Sequence, residues 1–288
     1  MAGALIIHNG GFSTMSIDRL TVEQDGVIRN VANFAGRLNL SGSGFNLLNG
    51  NARFDNEAIT ELSSSMSLLD NAILRNRPTT ANFIHSAGDI RMLGSSQILN
   101  EGTYSKSGGY LFVASSTGKF QNDGTFTQTA GRTDIAGGSR FNTGFLDTFN
   151  LNGGELNITS GGGLINSGFY NQTSGMARVL NSGIFQNDQD MTLDGGTFQV
   201  DAAGIVNGIG RTTLNGGTLR LNGEMDQTTG LGSPTGLTIN GGLLQGSGIF
   251  RGNIDNAGGA VGPGNSPDTL TIDGDPSTAI TPKARAAL

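Results

Sequence analysis

The sequence predicts an all-β chain wound as a right-handed parallel β-helix, a β-solenoid of about 21 residues per coil. Three observations lead there: a glycine-rich composition poor in charge, self-similarity at one period, and columns of like residues at fixed offsets within that period. Glycine supplies 48 of 288 residues and charged residues only 14%, against a usual glycine share of about 7%. Apolar residues, at 35%, are too few for one large globular core but recur too regularly for a disordered chain. A thin core repeated many times uses such a mixture.

The period is read from the second glycine of each Gly-Gly pair or its equivalent. Gly88, Gly109, Gly131, Gly154, Gly175, Gly196, Gly217 and Gly242 follow one another at 21, 22, 23, 21, 21, 21 and 25 residues. Two positions after this glycine stand Ile90, Leu111, Thr133, Leu156, Ala177, Phe198, Leu219 and Leu244. Four positions after it stand Met92, Val113, Ile135, Ile158, Val179, Val200, Leu221 and Gly246. Between them lie Arg91, Phe112, Asp134, Asn157, Arg178, Gln199, Arg220 and Gln245, giving the apolar, polar, apolar alternation of a half-buried strand.

Five positions before the glycine, Phe83, Tyr104, Phe126, Phe149, Tyr170 and Met191 form an aromatic-rich column that Thr212 and Leu237 continue. About twelve positions after it come Asn100, Asn122, Asn142, Asn166, Asn187 and Asn207, preceded in earlier coils by Asn30, Asn56 and Asn76. These asparagines read as a turn ladder whose side-chain amides bond from coil to coil. About thirteen coils result from this length and period. Like residues recurring at one period require parallel strands in register, because a hairpin would mirror the pattern. A right-handed wind is the default for a parallel crossover. Gly and Asn every few residues, with no 3.6-residue apolar stripe, disfavour helices.

The repeats TTLNGGTLRLNG (212–223), LTINGGLLQGSG (237–248) and MTLDGGTFQV (191–200) resemble those of autotransporter passenger domains and related haemagglutinin-like bacterial surface proteins. The stretch VGPGNSPDTLTIDG (261–274) is similar to the APGNSPGTLTI segment common in autotransporter-associated repeats, departing from it at Val261, Gly262 and Asp268. The repeat resemblance spans roughly residues 82–273, and it implies a secreted or surface-exposed β-solenoid. The outer-membrane β-barrel and apolar anchor of that family are not among these residues, and the route of export stays open.

Candidate chemistry is sparse. Glu57, Glu101, Asp123 and Asp188 each directly follow a ladder asparagine, and Glu101 and Asp123 are placed on adjacent coils, a spacing that would suit a retaining glycosidase pair. Asp188, Asp190 and Asp194 form a second acidic group, yet turn carboxylates on a solenoid are more commonly just solvated. His8 and His85 stand far apart in sequence, and His85 is read as a solvated or strand-edge residue in a column with Lys106, Gln128 and Leu151. No catalytic triad, zinc motif, phosphate loop or calcium-binding nonapeptide array is present, so no catalytic, cofactor-binding or metal-binding residue is assigned.

With net charge −6, no basic run and no cysteine, nucleic-acid binding and thiolate metal sites are disfavoured. No apolar stretch is long enough for a membrane-spanning helix. Residues 1–262 are therefore expected to form the solenoid and 263–288 a terminal Gly-Pro-Gly-Asn segment with a flexible tail. The expected function is an extracellular, cell-surface structural or adhesive rod rather than an enzyme. Its expected partners are surface glycans, host or matrix surfaces, or further copies of itself stacked end to end through uncapped terminal coils. A carbohydrate-active β-helix enzyme, either a polysaccharide lyase or a glycosidase, is the alternative.

Overall fold

The computed structural model describes residues 5–8, 14–31, 36–77, 80–114, 117–228, 236–264 and 269–274. Every strand pairing among them is parallel, and each coil contributes strands to three faces. Among the described residues the first face carries thirteen strands, from Leu5–His8 to Thr271–Asp273. The second runs from Thr14–Ile17 to Asn253–Asn256, and the third from Thr21–Val22 to Ala260–Pro263. Thr148–Ile158 and Phe169–Val179, each of 11 residues, pass unbroken from the second face to the third. A coil thus holds three strands, where the strongest periodic signal in the sequence marks one. The Asn9-Gly10-Gly11 turn and the tail from residue 275 lie outside the described residues.

The glycine that sets the period forms the corner between the second and third faces. All eight members, from Gly88 to Gly242, have φ between +61° and +76°, a region that L side chains enter at a cost. They also stack: a Cβ on Gly175 would stand 2.6 Å from the carbonyl oxygen of Gly154, and one on Gly196 2.4 Å from that of Gly175. Conformation and close approach both demand glycine here, and for this reason the repeat is legible.

Inside, the predicted columns are in register. Ile90, Leu111, Thr133, Leu156, Ala177, Phe198, Leu219 and Leu244 pair in succession. Met92, Val113, Ile135, Ile158, Val179, Val200 and Leu221 do the same and are all buried. The rings of Phe83, Tyr104, Phe126, Phe149 and Tyr170 stack along the axis at centroid spacings of 5.2, 5.2, 4.7 and 5.4 Å. Rings from the first face meet them edge-on, as where Phe120 crosses Phe126 at 87°. Offset and T-shaped contacts of this kind add to the stabilisation from burial alone. The interior is filled by side chains.

The asparagine ladder bonds from coil to coil as expected, but it lies buried at the ends of first-face strands rather than in turns. Asn30 donates to Asn56, Asn56 to Asn76, Asn76 to Asn100 and Asn100 to Asn122, at 3.0, 2.7, 2.7 and 2.7 Å. Each amide also reaches a backbone carbonyl at the start of the second face one coil on, for example Asn76 to Thr103 O at 2.8 Å and Asn122 to Thr148 O at 2.9 Å. Two assignments need correction. Asn142 pairs with Gln121 and faces outward, and Thr143 takes the ladder site between Asn122 and Asn166. Asn207 likewise pairs with Gln186 rather than Asn187. Asn142 and Asn207 directly follow an inward residue, Phe141 and Val206, whereas Asn100 and Asn122 come two after Ile98 and Phe120, and one residue of shift reverses the face.

His85 is a further correction: it is fully buried, as is Lys106 at 1% exposure. Their column points inward at the glycine corner and supplies donors for its carbonyls. His85 Nε2 donates to Gly88 O at 3.0 Å. Lys106 Nζ donates to Gly108 O, Gly109 O and Ala130 O at 2.8, 2.8 and 3.3 Å, so all three ammonium donors are used. Gln128 and Gln172 repeat the device, reaching Gly131 O and Gly175 O. Burial lowers the pKa of His85 to about 4 and that of Lys106 to about 8. At neutral pH His85 is neutral, and below its ordinary pKa of 6.5 only the unfolded chain takes up the proton readily. Stability is therefore expected to fall as pH drops from 6.5 towards 4, by at most about 3 kcal/mol from this group. His85→Leu, which copies Leu151 of the same column, is expected to flatten that acid slope in urea titrations. Gly88 O keeps its bond from the Tyr110 N–H, so the variant leaves no orphaned carbonyl. An unchanged slope would assign the acid sensitivity elsewhere.

Candidate functional site: a polar notch on one corner

With the interior filled, recognition falls to the outer faces and corners, and one corner is indented. Between the third and first faces the chain turns through residues 159–162, 180–183 and 201–204 in three successive coils. These four-residue turns stack into a ridge, with Ser160 N donating to Asn181 O and Ser182 N to Ala203 O, each at 2.9 Å. Asn181 and Ser182 adopt positive φ to make the bend. The next two coils turn through residues 222–223 and 247–248 alone. The corner recedes there, and a cavity of 530 Å³ opens against the end of the ridge, within the range of ligand-sized clefts.

The notch is lined by Asn181, Asp201, Arg220, Asn222, Gln245 and Ser247, with backbone of Gly246 and Gly264. Arg220 and Gln245 are register partners on the third face, pointing outward between inward Leu219 and Leu221. Asp201 accepts from Gln199 Nε2, and Asn222 Oδ1 accepts from Ser247 N at 3.3 Å. Gly246, at φ +145°, lies so close under the previous coil that a Cβ would stand 1.8 Å from Leu221 O, so its backbone stays bare. Arg220 makes no ion pair with a described carboxylate. The arrangement offers one free guanidinium, side-chain amides and one carboxylate around a concave polar surface.

The acidic residues singled out by sequence lie elsewhere. Glu101 and Asp123 do share a corner one coil apart, their N–H groups donating to Asn76 O and Asn100 O, each at 2.7 Å. Asp123 also accepts from Gln121 Nε2 at 2.6 Å. It stands near Asp147, whose pKa is raised first by burial and second by the charge of Asp123. Glu57 pairs with Arg29, and Asp190 with Arg211 at 3.0 Å. Asp188 and Asp194 accept from Gln186 and Asn215 respectively, so the second acidic group is dispersed among separate partners. Among the described residues no cluster of three His, Cys, Asp or Glu could hold a metal ion. No described helix is long and apolar enough to cross a membrane.

The outward column on the third face is not uniformly solvated. Asp134 and Asn157 are 5% and 3% exposed because they lie beneath a network. Asp134 accepts two bonds from Arg132 at 2.7 and 2.6 Å, one from Tyr110 Oη at 2.8 Å and one from Asn157 at 2.9 Å. Arg132 also covers the Tyr110 ring at 5.6 Å, and Tyr110 stacks on Phe112. This network is closed on itself, whereas the notch is open.

No family model and no curated protein sequence matches the chain. Among solved structures, a crystal structure of a TibC-catalysed hyper-glycosylated TibA fragment is similar. The likeness covers 93% of this chain and 100% of that one, at 12% identity and a TM-score of 0.27. It is too remote to carry a function across.

The notch itself was legible only in outline. The interval of 25 residues from Gly217 to Gly242 departs from the period, but its added residues fall between Asp226 and Gly236, at another corner. Leu221-Asn222-Gly223-Glu224 is also visibly shorter in its turn than Val200-Asp201-Ala202-Ala203-Gly204-Ile205. Neither feature shows that two short turns fall on the same corner beside a ridge.

Proposed function

We propose that this chain is an extracellular structural or adhesive rod of a bacterial surface, which binds through its outer faces and does not turn over substrate. The observation that carries the reading is the filled, in-register interior, with one buried ladder and one aromatic stack running along the axis. Such a stack is stiff because each coil is held by its neighbours, and it leaves only the exterior to meet a partner. The resemblance of the Gly-Gly repeats and of residues 261–274 to autotransporter passenger sequences supports a location outside the cell. In its structural form the rod stacks end to end into filaments, a head-to-tail contact that does not close.

The test is to present the purified chain on beads to glycan-coated and matrix-coated surfaces while assaying the same polysaccharides for new chain ends and the protein for filaments by electron microscopy. Retention on a surface, or filaments, without turnover is the expected result. Polysaccharide cleavage that disappears in Glu101→Gln or Asp123→Asn would replace this reading with the enzymatic one. Beads that bind no surface, from protein that forms no filaments, would overturn it.

A further inference from the structure

Resting on the adhesive reading and deepening it, we infer that the corner notch is a binding site for an anionic saccharide, with Arg220 pairing its acidic group. Charge and position together point to the ligand class. In a chain of net charge −6, the arginines 29, 37, 53, 91, 132, 178, 211 and 251 are each paired with a carboxylate. Arg178 occupies the same outward column as Arg220, two coils earlier, and is paired with Glu155 at 3.8 Å. Arg220 has no such partner; Arg19, Arg75, Arg77 and Arg140 also make no ion pair with a described carboxylate, but of these five arginines Arg220 alone lines the 530 Å³ notch. A planar guanidinium offers a fork of donors that matches a carboxylate or sulfate.

The remaining lining narrows the ligand to a sugar. Asn181 and Gln245 each present an amide with both donors and an acceptor, Asn222 presents its two amide donors while its Oδ1 accepts from Ser247 N, and Ser247 adds a hydroxyl. Asp201 accepts but cannot donate, which suits a ligand hydroxyl and not a second acidic group. Donors and acceptors together around one cation fit a polyhydroxylated ring bearing one negative charge. Gly246, whose Cβ is excluded by Leu221 O, keeps the floor free of a side chain and lets a ring approach the backbone. The cleft is open at the corner, so it would take an internal unit of a longer chain as well as an end.

Titration calorimetry on the intact protein tests this with two matched probe pairs: trigalacturonic acid against its methyl ester, and a carrageenan tetrasaccharide against its desulfated form. One anionic probe is expected to bind at least tenfold more tightly than its neutral partner, which also tells carboxylate from sulfate. Arg220→Gln is expected to weaken that binding at least tenfold, and Asn222→Ala to weaken it less, while Arg178→Gln leaves it unchanged. Thermal melts of each variant check that the fold is retained. Failure of both anionic probes, equal affinity for a neutral partner, or equal losses in Arg178→Gln and Arg220→Gln would overturn the assignment. Beads carrying Arg220→Gln that still adhere as the parent does would overturn it too, and would leave the adhesive reading standing.

Discussion

Val179→Asp is expected to unfold several coils, whereas a polar exchange one residue earlier, Arg178→Gln, is expected to change stability by less than about 1 kcal/mol. Val179 is fully buried, in register with Ile158 on one side and Val200 on the other. A carboxylate at that site would face only apolar neighbours. It would have to be buried unpaired or be protonated, and either route costs several kcal/mol. That is a large share of the roughly 5–15 kcal/mol that separates folded from unfolded domains. In a solenoid each coil is stable largely through its neighbours, so the damage spreads along the axis instead of staying at one side chain. Limited proteolysis should open first among the coils around residues 158–200, and the circular dichroism melt should move to lower temperature or split. A melt identical to the parent would refute the inward assignment of the whole column.

Asn100→Ala is expected to destabilise the protein by about 2–5 kcal/mol, from roughly 1–3 kcal/mol for each buried polar group left without a partner. Asn100 Oδ1 accepts from Asn76, and its amide donates to Asn122 Oδ1 and to Thr125 O, at 2.7, 2.7 and 3.2 Å. Alanine leaves Asn122 Oδ1 and one Asn76 donor facing a void, though Asn76 keeps its bond to Thr103 O. Asn142→Ala is the matched control. That residue lies off the ladder with a single 3.3 Å bond to Gln121, and its loss is expected to be under about 1 kcal/mol. The comparison is read from urea midpoints at an unchanged slope. Equal losses at Asn100 and Asn142 would show that the ladder contributes nothing beyond an ordinary surface amide.

These residues show why part of the architecture could be read in advance. Like residues stacked at one spacing are both the sequence signal and the physical cause of the fold. Gly154 and Gly175 recur because each must take positive φ beneath the carbonyl of the one before. Phe126 and Phe149 recur because their rings pack on one another at 4.7 Å. Asn142 misled because a one-residue offset keeps the residue type and the approximate period while moving the side chain from the interior to the surface. His85 misled because its partners are backbone carbonyls, which leave no trace in side-chain identity.

The all-β class, the parallel register and the inward columns were thus contained in the order of the residues, since each depends on what lies one coil away and the period states that directly. The three-faced cross-section, the burial of His85 and Lys106, and the notch around Arg220 were not. They depend on where the chain bends between strands. That is set by turn lengths and by carbonyls brought together around the coil, and both become visible only when successive corners are superposed in space.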